Sequence, residues 1–148
     1  MEIKVVKTIN KRLPFSVSEV EEKTLKVLDL LKIKDGVLDV VLVSDVFIRR
    51  LNRRFLKKNN YTDVLAFGEA FDNQGHKRKN IFGEVIISVD AAKRFAKRYG
   101  QRTEREFYLY LIHGILHLLG YNDHTLKQRK TMEELQNVLL SRIIPNEK

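Results

Sequence analysis

The sequence predicts an α+β fold, a single domain in which a small mixed β-sheet and about five helices surround a buried central helix. Three observations lead there. Segments of strand and helix character follow the order β, α, β, α, β, β, α, α, α, which is not the strict strand–helix alternation of a parallel α/β protein. One segment, Phe107 to Leu119, is apolar nearly all round, so it reads as a helix enclosed by the other elements. A chain of 148 residues can build one sizeable core, whereas two would each be marginal, so residues 1–148 are read as one domain.

Each element has its own signal. Ile3, Val5 and Ile9 read as an opening strand, ended by Pro14 and Ser16. Ser16-Val17-Ser18-Glu19 and Ser18-Glu19-Val20-Glu21 both fit a helix-starting capping box, and Val17, Val20, Val27, Leu28 and Leu31 form the apolar stripe of that helix. Val37 to Val43 is β-branched and almost continuous, the pattern of a buried strand. Ser44 then caps a second helix, with Val46, Phe47, Leu51 and Phe55 apolar and Arg49, Arg50, Arg53 and Arg54 on its other sides. Val64-Leu65-Ala66-Phe67 and Ile81 to Ser88 read as the strands of a hairpin with a long basic tip, Glu69 to Asn80. A helix from Asp90 to Tyr99 stops at Gly100. Thr103-Glu104-Arg105-Glu106 resembles a third capping box and opens the central helix, which ends at Gly120. A last helix runs from Thr125 to Ile144 and is closed by Pro145.

Composition narrows the function classes. Apolar residues make up 43% and charged residues 32% of the chain, too much hydrophobe for a disordered protein and too much interspersed charge for a membrane span. The N-terminus alternates charged and apolar residues, without the basic start and apolar block of a secretory signal. The absence of cysteine excludes disulfides, thiolate nucleophiles and Cys-based metal sites and fits a reducing cytoplasm, and the longest nearly apolar run, Phe107 to Leu119, is shorter than the ~20 residues a bilayer needs, so no membrane partner is expected. Lys and Arg number 28 against 19 Asp and Glu, a net charge of +9 that suits a polyanionic partner such as nucleic acid. The basic candidates for contact with a nucleic-acid backbone are Arg49, Arg50, Arg53, Arg54, Lys57, Lys58, Lys77, Arg78 and Lys79.

The chemistry concentrates in the central helix. His113 and His117 stand four residues apart, so both imidazoles leave one helix face. After the turn allowed by Gly120, His124 returns toward that face as a third donor, and the remaining histidine, His76, sits alone in the basic tip. A lone histidine on an apolar helix is usually a hydrogen-bonded core residue; the spaced pair with a third histidine beyond a glycine points instead to a metal. Three imidazoles leave a tetrahedral zinc one open position, and coordination lowers the pKa of a water there from 15.7 to about 7. Imidazole also suits nickel and other divalent transition metals. The position after the first histidine is Gly114, so the glutamate base of an HExxH metalloprotease is absent. A glycine within a helix needs a reason, either close packing on a strand or the approach of substrate.

The segment His113-Gly114-Ile115-Leu116-His117-Leu118-Leu119-Gly120-Tyr121, followed by Asp123 and His124, strongly resembles the signature of the YbeY family of bacterial metal-dependent endoribonucleases. Leu51-Asn52 with Phe55, Thr62-Asp63-Val64-Leu65-Ala66-Phe67 and Gly83-Glu84-Val85-Ile86-Ile87-Ser88 extend the likeness from about Val37 onward. The resemblance implies cleavage of single-stranded RNA with one zinc per chain, in 16S rRNA 3′-end maturation and ribosome quality control, with rRNA and the ribosome or its proteins as partners. The family pattern Gly-Tyr-Asp-His is one residue shorter than Gly120-Tyr121-Asn122-Asp123-His124, so an ungapped match puts Asp123 at the third histidine. His124 is the favoured third ligand beside His113 and His117, because imidazole is the softer match for zinc; Asp123 is then a proton-transfer residue or the alternative ligand. Leu56 stands where the family usually has an arginine, and Arg53, Arg54, Lys57 and Lys58 are the nearby charges. Two other functions fit the composition: a non-catalytic zinc-containing ribosome-assembly or RNA-binding factor, and a hydrolase of small phosphate esters or peptides.

Overall fold

A computed structural model describes residues 1–56, 63–68 and 81–144. In chain order the elements are β1 (Glu2–Lys7), α1 (Val17–Leu30), β2 (Val37–Val43), α2 (Asp45–Leu56), β3 (Val64–Gly68), β4 (Ile81–Ser88), α3 (Val89–Tyr99), α4 (Thr103–Leu118) and α5 (Leu126–Ile143). The strands form one sheet in the order β1-β2-β4-β3. β1, β2 and β4 are parallel, and β3 runs antiparallel to β4 from Val64 opposite Ile87 to Gly68 opposite Gly83. The sheet is therefore mixed and the fold is α+β, as the sequence predicts.

Alternation along the strands divides the apolar side chains between two layers. Leu38, Val40 and Leu42 of β2 and Val85 and Ile87 of β4 join Phe107, Leu111, Ile112, Ile115 and Leu116 of α4 in the larger core. Val43, Leu65 and Ile86 point the other way and meet Ile48 of α2. So α4 covers one sheet face and α2 the opposite one. α4 packs against β3, β4, α3 and α5, which is why it is apolar on almost every side.

Two glycines set the distance between α4 and the sheet. A Cβ at Gly114 would lie 2.6 Å from Val85 Cγ1 and 3.2 Å from Val64 Cγ2, and one at Gly83 would lie 2.7 Å from Leu118 Cδ1. Close packing on a strand is thus the reason for the glycine inside α4.

The helix starts agree with the sequence reading in part. Ser16 caps α1, its hydroxyl accepting from the Glu19 N–H at 3.1 Å. The capping box expected at Thr103 does not form. α4 begins a residue earlier than that motif requires, with Arg102 at the cap position and no side-chain cap bond. Among the described residues no helix is long and apolar enough to cross a membrane.

Candidate metal centre

The helical repeat brings His113 and His117 onto one edge of α4, where each side chain is about 30% exposed although their helix neighbours Ile112, Gly114 and Leu116 are buried. Their rings meet edge to face, with Nε2 of one 2.9 Å from Nε2 of the other. α4 then ends in a Schellman turn. Gly120, at φ +94, donates its N–H to the His117 carbonyl at 3.0 Å, and the Tyr121 N–H reaches the Leu116 carbonyl at 3.1 Å. This turn carries the chain back past the histidines, and Asp123 Oδ2 comes to 3.9 Å from His113 Nε2 and 3.8 Å from His117 Nε2.

Among the described residues, the group of ligand-type atoms that converges here is His113, His117 and Asp123. His124, the favoured third donor from the sequence, stands outside it. The start of α5 explains the difference. The N–H groups of His124 and Thr125 both donate to Gln128 Oε1, at 3.2 and 3.1 Å, while the Thr125 hydroxyl accepts from the Gln128 N–H. That capping box fixes the chain just past Asp123 and leaves His124 exposed.

The donor set fits a divalent transition metal. Two imidazole nitrogens facing each other at 2.9 Å present two lone pairs to one point, which only a proton or a cation reconciles. His113 Nε2, His117 Nε2 and Asp123 Oδ2 lie 2.9, 3.8 and 3.9 Å apart, close enough for the three to share one ion. Burial, and next the neighbouring His117, lower the pKa of His113, while Asp63, Asp123 and Gln136 act in the opposite direction. The net effect favours the neutral imidazole, which is the form that binds metal.

Two residues near the group are not evident from the sequence. Gln136 is buried on α5 and places its amide nitrogen 2.6 Å from His113 Nδ1. The available signal is a polar residue in the otherwise apolar stripe Met132, Leu139, Leu140 and Ile143. Arg129 lines a cleft of about 350 Å³ together with His113, Asp123 and Gln136, and its Nη1 lies 3.5 Å from the Asp123 carbonyl. It comes near the site only because α5 folds back along α4.

The basic candidates are placed less centrally. Arg50, Arg53 and Arg54 are exposed on α2 and Arg49 is half-buried there, in a different layer from the histidines. Lys57, Lys58, Lys77, Arg78 and Lys79, and with them His76, lie outside the described residues.

Fold and site together define a class: a small α+β domain whose buried central helix, with the turn after it, presents a His-His-Asp group suited to a divalent metal ion. The sequence profile described as Endoribonuclease YbeY matches residues 5–144. The chain belongs to the YbeY family. A Myxococcus xanthus protein named Endoribonuclease YbeY is 45% identical over 103 residues, which cover 70% of this chain and 35% of that longer protein. Its namesake from Aquifex aeolicus is 41% identical, covering 72% of this chain and 69% of the relative, and that from Syntrophotalea carbinolica is 33% identical, covering 86% and 87%. The solution structure of TM1509 from Thermotoga maritima superposes with a TM-score of 0.66 at 26% identity, over 95% of this chain and 88% of that one.

Proposed function

We propose that this chain is a metal-dependent endoribonuclease that cuts single-stranded RNA, with His113, His117 and Asp123 holding one zinc or similar divalent ion. The observation that carries this reading is the convergence of those three side chains beside a cleft, in a chain of the YbeY family. A divalent ion there would supply Lewis acidity toward a phosphate oxygen and a water activated at neutral pH. The chain's own residues do the rest. The sheet and α5 hold the two imidazoles on a rigid helix, and Arg129 at the cleft offers a guanidinium to a phosphate of the bound strand. The exposed arginines of α2 add long-range attraction for the polyanion. In the cell the reading extends to 16S rRNA 3′-end maturation and ribosome quality control in the cytoplasm, with the ribosome supplying the sequence selectivity.

Metal-loaded protein is expected to cleave a single-stranded RNA oligonucleotide, and His117→Ala purified identically is expected to show no cleavage above background. Equal cutting by both proteins would trace the activity to a contaminant and sink the proposal. Binding is expected to weaken log-linearly with salt. Combined replacement of Arg50, Arg53 and Arg54 by Gln should flatten that slope by up to about one unit per lost phosphate contact, whereas an unchanged slope would remove α2 from the RNA path.

A further inference from the structure

A neutral imidazole carries one N–H, and the partner of one ring nitrogen decides which nitrogen bears it. At His113 the two sides of the ring are distinct. Nε2 faces His117 and Asp123, and Nδ1 faces the side chain of Gln136 at 2.6 Å. Gln136 is 91% buried, held in the α5 stripe by Met132, Leu139 and Leu140, so its amide has little access to competing solvent.

An amide has a donor end and an acceptor end of nearly the same shape, and half a turn about its terminal torsion exchanges them. With the amide nitrogen toward the ring, Nδ1 accepts, and the ring proton lies on Nε2 between the two imidazoles. With the carbonyl toward the ring, Nδ1 donates and Nε2 is left with a free lone pair. A cation in the group requires the second state. Glutamine serves both. A carboxylate would serve only the second, and an apolar side chain neither.

We infer that Gln136 is a positioning residue that sets the tautomer of His113, receiving the Nδ1–H on its amide carbonyl when Nε2 is given to the metal. This rests on the metal-centre reading of His113, His117 and Asp123. The residue also pins the ring plane, because a bond to Nδ1 and a ligand on Nε2 fix the imidazole from opposite sides.

The test is calorimetric titration of metal-free protein with zinc chloride, on the wild type, Gln136→Met and Gln136→Glu, with thermal unfolding of each metal-free protein alongside. Gln136→Met keeps the length and packing of the side chain but offers no acceptor of comparable strength, and it should bind zinc roughly 10–100-fold more weakly. Its metal-free melting temperature should stay near that of the wild type. Gln136→Glu should bind at least as tightly as the wild type, because its carboxylate can only accept from Nδ1. Wild-type affinity in Gln136→Met overturns the assignment while leaving the metal centre in place. Affinity in Gln136→Glu as poor as in Gln136→Met overturns it as well, since the residue would then act through packing. No zinc uptake by the wild type overturns the metal centre itself, and this inference with it.

Discussion

Asp123→Ala is expected to strip the metal from the protein and to abolish RNA cleavage, whereas His124→Ala should leave both nearly unchanged. Asp123 supplies the only negative charge in the group, with its Oδ2 within 4 Å of both ring nitrogens. Two imidazoles alone give a divalent ion no third bond. The fall in zinc affinity should exceed the ~10–100-fold that losing an outer-sphere partner costs. His124 touches the site only through the backbone, where its N–H helps the α5 cap, and an alanine keeps that N–H. Elemental analysis of dialysed proteins, followed by RNA cleavage with each, checks both halves. Asp123→His makes the comparison sharper, because it rebuilds three imidazoles at the same chain position and should retain the ion. Loss of metal in His124→Ala, with retention in Asp123→Ala, would return the third ligand to His124.

The sequence points to His124 because local information ends at the turn after Gly120. The helix–glycine–turn pattern was legible, as was the spacing of His113 and His117, because both depend on helical repeat and on the left-handed backbone of Gly120. The direction of the next three residues depends on α5, which starts with the capping box of Thr125 and Gln128. Softness toward zinc favours the histidine, whereas the chain geometry brings the aspartate, not His124, up to the two imidazoles. The same boundary hid Gln136. Its nearness to His113 comes from the packing of two helices separated in sequence. The strands were legible throughout. Val37–Val43 and Ile81–Ser88 are apolar on both faces because α4 covers one side of the sheet and α2 the other.

Gly114→Val should cost about 3 kcal/mol of stability, at the upper end of what overpacking a core commonly costs. Valine has the better helix propensity, so a loss would have to come from space. The space is already gone: the first carbon of any side chain at 114 would meet Val85 Cγ1 at 2.6 Å and Val64 Cγ2 at 3.2 Å, before a valine adds its two methyl groups. The nearer of the two cannot yield easily. Val85 is fully buried and paired in the middle of β4, between β2 and β3. The strain must therefore lift α4 from the sheet, and the histidines ride on α4. For a domain of this size the loss corresponds to a fall in melting temperature of roughly 6–12 °C, read by calorimetric unfolding of the metal-free protein. Zinc affinity should fall with it, because lifting the helix separates His113 and His117 from Asp123, which is held by the α5 cap. Shrinking the neighbour supplies the control. Val85→Ala combined with Gly114→Ala should be more stable than the sum of the two single changes by about 1 kcal/mol or more, since the new methyl fills the room that Val85 vacates. Strict additivity of the pair would show that Gly114 is not what sets the distance between α4 and β4.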